Sequence, residues 1–304
     1  MVMKDKMNID LSLPEVRGSY RFNADLSKTN WFRVGGNADI LFRPKDIDDL
    51  IFFLKNKPKD LPVTILGVGS NIIIKDGGIE GVVIKLGAEF TKISHNGNLI
   101  KIGGGCLCSN AAQYSKINAL GGLEFLIGIP GSIGGAVAMN AGCHDGDISK
   151  ILVSAKAIDF EGNLIKLENK DFGFKYRGTS ISKDIIFVEA VFKSFNSTSE
   201  EISAKIAELT KKREEAQPIR NKTGGSTFKN PKIAKAWELI DKAGCRSLKI
   251  GDAQISQKHC NFMINIGNAK AKDLIDLGNE VIKRVKEKTG ITLEWEIKVI
   301  GRDN

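Results

Sequence analysis

The chain of 304 residues has no uninterrupted apolar run long enough to span a bilayer, and its opening, MVMKDKMNIDLSLPEV, has none of signal-peptide length. A cytoplasmic protein with no membrane partner is therefore expected. Cysteine is scarce and odd in number: Cys106, Cys108, Cys143, Cys245 and Cys260 are scattered along the chain. That pattern fits reduced thiols and supplies no disulfide framework. Cys106 and Cys108 are too close for a comfortable zinc pair and lack a second pair to complete four ligands, so no metal is expected. Blocks of one charge are missing too. The net charge is +9, from 45 Lys and Arg against 36 Asp and Glu, yet the signs are interspersed, and the densest basic stretch, Lys211 to Lys222, contains Glu214 and Glu215. Without a basic stripe interleaved with aromatics, nucleic acid is not an expected partner. The useful positive charge should be local to a site for small anions. There is no internal repeat, no GxSxG elbow and no GxGxxG fingerprint opening a helix, which argues against a serine hydrolase and a Rossmann domain.

Glycine is what the chain has in quantity, with 32 residues. Seven of them, with Pro130, interrupt an apolar run from Gly121 to Gly142, GGLEFLIGIPGSIGGAVAMNAG, a segment that predicts a poor helix. At Gly128, Gly131, Gly134 and Gly135 the backbone can sit directly against a ligand, and successive bare amides make a concavity suited to a diphosphate. Tight backbone packing would explain the same glycines.

A chain of this length should divide into two or three units. The first shows a strand from Ala38 to Phe42, an amphipathic helix from Asp46 to Lys55, and short strands around the turns Gly67 to Asn71 and Gly77-Gly78. Strands joined by glycine turns argue against a doubly wound fold. A second unit opens near Gly87 with a hairpin turning at Asn96-Gly97-Asn98 and a helix from Leu107 to Asn118. After the glycine segment it continues in strands at Ile151 to Phe160, Leu164 to Leu167 and Ile185 to Phe192. A helix from about Glu200 to Ala216 stops at Pro218. Beyond it come helices at Ile233 to Ala243 and Ala271 to Thr289, and strands at Phe262 to Asn265 and Leu293 to Ile300. The expected units are 1–87, 88–198 and 199–304, with the last strand free to return to the first.

Two glycine loops, Leu66 to Asn71 and Gly128 to Gly135, could grip one dinucleotide, such as an FAD lying between two small α+β units. The motifs TNWFRVGG, ILGVGSN, GIPGSIGGAVAMNAG, YRGTS, GGSTFKNP and LEWEIKVIG occur together from about Asn30 to Gly301. In that order and spacing they resemble the UDP-N-acetylenolpyruvoylglucosamine reductase (MurB) family. The resemblance implies an α+β fold: a two-subdomain FAD-binding module of the vanillyl-alcohol-oxidase (PCMH) type plus a C-terminal α+β substrate domain. It also implies a reaction of peptidoglycan precursor synthesis, in which noncovalently bound FAD takes a hydride from NADPH as co-substrate. The hydride passes from flavin N5 to the vinyl carbon of UDP-N-acetylglucosamine enolpyruvate, and a proton adds next to it to give UDP-N-acetylmuramate.

Negative charge then develops beside the substrate carboxylate, where a preorganised cation is worth most. The resemblance assigns that place to Arg177, the proton to Ser226 and a polarising carboxylate to Glu296. Read alone, Arg177 fits a surface arginine and Ser226 a turn or helix-capping serine. Strand alternation puts Glu294 and Glu296 on one face, so only the motif selects Glu296. The FAD contacts expected are Gly67, Val68, Gly69, Ser70 and Asn71 with Gly128, Ile129, Pro130, Gly131, Ser132 and Gly134. The substrate contacts expected are Asn230, Arg213 and Lys229. His95, His144 and His259 fit turn or structural roles. Departures from the family pattern are Trp295 in place of a proline, and cysteines in GGGCLCSN. No room exists for the tyrosine-bearing lid of the longer subclass, so the chain is similar to the shorter, type II-like subclass and is expected to be a monomer. The alternatives are another FAD-dependent oxidase of the same fold and a basic nucleotide-binding protein.

Overall fold

A computed structural model describes residues 13–144 and 146–303; the reading of the first twelve residues lies outside them. The first unit contains β1 (Ser19–Asp25), β2 (Asn37–Arg43), α1 (Ile47–Asn56), β3 (Val63–Ile65), β4 (Ile72–Ile74) and β5 (Ile79–Ile84). Strands β1, β2, β5 and β3 form one sheet in that order, with β1 antiparallel to β2 and the other two pairings parallel. Helix α1 starts where the Asp46 carboxylate accepts the Asp49 N–H at 3.0 Å. Its Leu50, Phe53 and Leu54 pack on Phe42, Val82 and Ile84, and Ile158, Ile186 and Val188 from the second unit close the same core. The first two units therefore share an apolar interface.

The second unit is built on β6 (Ile93–Asn96), β7 (Leu99–Gly103), α2 (Cys108–Ile117), β8 (Leu120–Gly121), α3 (Ile133–Met139), β9 (Gly142–Cys143) and β10 (Gly146–Asp147). It continues with α4 (Ile148–Ile151), β11 (Leu152–Asp159), β12 (Leu164–Glu168), β13 (Ile185–Lys193) and β14 (Phe195–Asn196). An antiparallel sheet runs in the order β12, β11, β13, β7, β6. Helix α3 corrects the expectation that the glycine segment is non-helical. Ile133, Ala136 and Val137 fall at helical spacing and are buried in this unit's core. Their burial outweighs the roughly 1 kcal/mol that each of Gly134 and Gly135 costs in a helix.

Helix α5 (Ser199–Ala216) opens with a capping box between Thr198 and Glu201. Its Ile202 and Ile206 enter the second unit's core, so the first half of α5 packs with that unit, while Lys258 of the following chain donates to the Glu214 carbonyl near the end of the helix. Then come α6 (Ala236–Lys242), β15 (Lys249–Ile250), β16 (Ala253–Ile255), β17 (Met263–Asn265), α7 (Ala271–Thr289) and β18 (Lys298–Ile300). Helix α7 buries Leu274, Leu277, Val281 and Val285 in a core that also takes Phe32, Val34 and Ile73 of the first unit. Strand β18 pairs in parallel with β4, Lys298 opposite Ile72 and Ile300 opposite Ile74. The C-terminal unit is thus joined to the first by a shared core and a shared ladder.

The strand expected over Leu293 to Ile300 is regular only in its last three residues. Before them the chain bridges Phe228 at Trp295 and then bends, with the N–H groups of Glu296 and Ile297 both directed at the Thr227 carbonyl, at 2.8 and 3.4 Å.

Candidate active site

The two glycine loops face each other across a narrow slit. A Cβ built on Gly67 would lie 2.8 Å from the Ser132 hydroxyl oxygen, and one on Gly131 would lie 3.7 Å from that of Ser70. Gly69 has φ +67 and backs onto Asn30, so it is the position in this loop where a side chain is excluded by conformation and by contact. Among the described residues, the backbone N–H groups of Gly67, Val68, Gly69, Ser70 and Asn71 find no protein acceptor, nor do those of Gly131 and Ser132. A run of unpaired donors on bare backbone is what a diphosphate needs, and FAD fits this slit on that ground.

Not every expected contact has a free amide. Gly134 donates to the Gly104 carbonyl at 2.7 Å and Ile129 to Leu126 at 3.1 Å. Gly134 is therefore a packing glycine, its Cα pressed toward the Phe187 and Gly104 carbonyls. Gly128 lies against the Cys143 side chain, and Pro130 has no N–H to offer.

Arg177 and Glu296 come together from opposite ends of the chain. Arg177 Nε donates to Glu296 Oε1 at 3.1 Å, with the two side chains 24% and 14% exposed. Burial pushes the Glu296 carboxyl above the usual carboxylate range, and the Arg177 and Lys229 charges only partly oppose it. Glu294, expected on the same face, is 77% exposed and pairs with Lys229 at 3.3 Å. The bend after Trp295 breaks the alternation, so geometry as well as motif separates the two acids.

The slit and the ion pair are connected. The Asn71 amide donates to the Glu296 carbonyl oxygen at 3.1 Å, and a Cβ on Gly142 would lie 3.0 Å from Arg177 Nη1. Asn140, at the end of α3, donates to the Lys175 carbonyl at 3.0 Å and accepts from Ser149 N–H at 2.9 Å. It anchors the turn that presents Arg177. Sequence reasoning missed Asn140; the signal available was an asparagine just past the helix end, where left-handed backbone is common. Buried Asn30 was also missed. Its amide donates to the Leu26 and Val34 carbonyls, fixing the loop on which Gly69 rests.

Ser226 is half-buried in an irregular stretch held by isolated bridges, its own to Phe262 and that of Phe228 to Trp295. The neighbouring Thr227 accepts the Glu296 N–H and donates its own N–H to the Asn261 carbonyl at 2.8 Å. The stretch is seated by Gly224, which lies directly on the Phe32 ring. Among the described residues the Ser226 hydroxyl has no hydrogen-bond partner.

The expected substrate contacts divide. Arg213 is half-buried, its Nε donates to Gln217 Oε1 at 3.2 Å, and it acts with Arg177 on the Cys143 thiol. It therefore adds positive charge near Arg177. Asn230 is exposed, and its Oδ1 accepts the Ala236 N–H at 2.9 Å, which holds the start of α6. Lys229 is tied to Glu294. His259 accepts from the Asn261 N–H and stacks edge-on against Phe262 at 4.8 Å, a structural role. Among the described residues no group of three potential metal ligands occurs, and no helix is long and apolar enough to cross a membrane.

A bare-amide slit between two α+β units, next to a half-buried arginine–carboxylate pair, defines a flavin-dependent oxidoreductase, and residues 38–168 match the family model for an FAD binding domain. Residues 217–300 match the C-terminal domain of UDP-N-acetylenolpyruvoylglucosamine reductase. The chain is 53% identical over 294 residues to the UDP-N-acetylenolpyruvoylglucosamine reductase of Rickettsia bellii, covering 96% of this chain and 97% of that one. To the Rickettsia prowazekii enzyme it is 52% identical over 290 residues, 95% of this chain and 98% of that one. The crystal structure of the Thermus caldophilus reductase superposes with a TM-score of 0.81 at 33% identity, covering 94% of this chain and 99% of that one. The chain belongs to the UDP-N-acetylenolpyruvoylglucosamine reductase (MurB) family.

Proposed function

We propose that this chain reduces the enol ether of UDP-N-acetylenolpyruvoylglucosamine to UDP-N-acetylmuramate at the expense of NADPH, a step of peptidoglycan precursor synthesis. The observation that carries the reading is the half-buried Arg177–Glu296 pair held against the glycine slit by Asn71. When bound, FAD supplies the hydride that reaches the vinyl CH2 carbon of the substrate. Electron density then moves from the double bond toward the adjacent carbon and its carboxylate. Arg177, with five N–H donors in a fixed fork, binds that carboxylate and stabilises the charge as it grows. Glu296, its carboxyl raised by burial above the usual carboxylate range, holds Arg177 through its Oε1 and polarises the developing charge with it. Ser226 gives its hydroxyl proton to the carbon, which completes the C–H bond, and regains a proton from solvent. A serine hydroxyl is a weak acid, so this transfer needs the strongly basic carbon that the preceding step creates. The absence of any competing partner for the hydroxyl within the described residues supports the role.

Arg213 adds positive charge for the rest of the substrate anion. All these groups come from one chain, which supports a monomer, and a soluble sugar nucleotide as substrate supports a cytoplasmic enzyme. The test is anaerobic. Purified yellow protein should bleach with NADPH and recolour only when the enolpyruvyl sugar nucleotide is added, with UDP-N-acetylmuramate found by mass spectrometry. Colourless protein, or recolouring by oxygen at the same rate as by substrate, would overturn the proposal in favour of an unrelated binder or an oxidase.

A further inference from the structure

Asn261 is buried against the stretch that carries Ser226, and the mechanism does not use it. Its Oδ1 accepts the Phe228 N–H at 2.9 Å and its Nδ2 donates to the Phe228 carbonyl at 2.8 Å. One side-chain amide thus pairs with both backbone polar groups of one residue, as a neighbouring strand would. Only Asn and Gln carry a donor and an acceptor on one planar side-chain amide, so this pairing specifies the type of residue. The Asn261 carbonyl also accepts the Thr227 N–H at 2.8 Å, and its N–H donates to His259 Nδ1 at 3.2 Å, which ties it to the chain before it. Thr227 and Phe228 are buried, so bulk water does not compete for these groups.

The Ser226 hydroxyl has no hydrogen-bond partner among the described residues, so its place is set by its backbone. That backbone is held from two sides. On one, the Thr227 carbonyl accepts the Glu296 N–H at 2.8 Å and the Lys229 N–H donates to the Glu294 carbonyl at 2.9 Å. On the other, Ser226 bridges Phe262, Thr227 Oγ1 accepts the Met263 N–H at 3.2 Å, and Asn261 holds Thr227 and Phe228. Removing the Asn261 amide leaves the first side intact and loosens the second, so Ser226 shifts relative to the slit. A displacement of about 1 Å at a reacting group is enough to cost about 10² in rate. No hydrogen bond among the described residues joins Asn261 to the glycine loops or to Arg177, so cofactor binding and flavin reduction do not depend on it.

We propose that Asn261 is a positioning residue for proton delivery: its amide clamps Thr227 and Phe228 so that the Ser226 hydroxyl stands where the substrate carbon is protonated. The proposal rests on the role given to Ser226 above and adds the group that places it. It is tested on the FAD-loaded enzyme by anaerobic stopped-flow absorbance in both half-reactions. Asn261→Asp keeps the shape but loses the donor to the Phe228 carbonyl. It should slow recolouring by the enolpyruvyl sugar nucleotide about tenfold or more, and change bleaching by NADPH by less than about twofold. Asn261→Ser, whose smaller side chain admits a water to the same backbone pair, should slow recolouring in the same direction. In a Ser226→Ala background, where no hydroxyl remains to be placed, Asn261→Asp should add less than about twofold. Equal slowing in the two backgrounds, or slowing of both half-reactions alike, overturns the positioning role. The wild type supplies a check that needs no variant: amide hydrogen exchange should leave residues 226–228 among the most protected. Exchange there as fast as in the loop at 231–235 overturns the clamp. Fast recolouring by Asn261→Asp beside slow recolouring by Ser226→Ala also overturns the proposal, and leaves the role of Ser226 standing. Ser226→Ala that recolours at the wild-type rate would instead overturn that role, a result distinguishable from the others.

Discussion

Arg177 holds its guanidinium in place at a conformational cost. It has φ +55 in the turn from Lys175 to Gly178, the left-handed region that costs a non-glycine residue about 1–2 kcal/mol. The anchoring amide of Asn140, the bond to Glu296 and the Tyr176 ring, 5.2 Å from the guanidinium carbon, hold it there. Replacing Arg177 by Lys keeps the charge but not the fork, so kcat should fall by about 10² or more with little change in melting temperature, measured on the flavin-loaded protein. Glu296 gives a prediction in pH. Its carboxyl is raised in the folded state, so its contribution to stability is fully present below the unfolded carboxylate pKa and is lost as pH rises through the folded value. The stability of the wild type relative to Glu296→Gln, from urea unfolding, should therefore grow as the pH is lowered from neutrality into the acid range. A difference independent of pH would contradict the burial account. Both residues were legible in the sequence through the motifs around them. The environment that raises Glu296 was not, because the bend after Trp295 depends on contacts with residues 227 and 228, far away in the chain.

At the scale of elements, the slit and the helix behind Trp295 can be disturbed separately. Gly67 is exposed at the slit and has ordinary backbone angles, so Gly67→Val should leave the fold intact but fill the space facing Ser132. The expected result is protein with wild-type far-UV circular dichroism and less than half the bound flavin per chain. Gly278, buried in α7, lies under the Trp295 ring. Gly278→Ala gains about 1 kcal/mol of helix propensity but drives a methyl group into a rigid indole, an overpacking cost of about 1–3 kcal/mol. Because Trp295 directly precedes Glu296, the melting temperature and kcat should fall together. The sequence showed most elements, since β-branched runs and helical periodicity survive without tertiary help. It hid α3, where a glycine-rich composition is overridden by burial of Ile133, Ala136 and Val137. It also hid the packing of α5, because periodicity reveals an apolar face but not the neighbour that covers it.

At the scale of the whole molecule, the proposed site draws a different part from each unit. The first and second close on the slit from either side, and the C-terminal unit, joined to the first by β18 and by Phe32, brings Ser226 and Glu296 to its edge. The glycine loops could be recognised in the sequence because bare backbone has one residue type. The division of labour predicts that reduction and oxidation of the flavin can be uncoupled by one oxygen atom. The direct measurement is anaerobic stopped-flow absorbance of Ser226→Ala in both half-reactions. The account predicts bleaching by NADPH at the wild-type rate and recolouring by the enolpyruvyl sugar nucleotide slowed by about 10² or more, the usual scale of a positioned acid. Recolouring at the wild-type rate would contradict it.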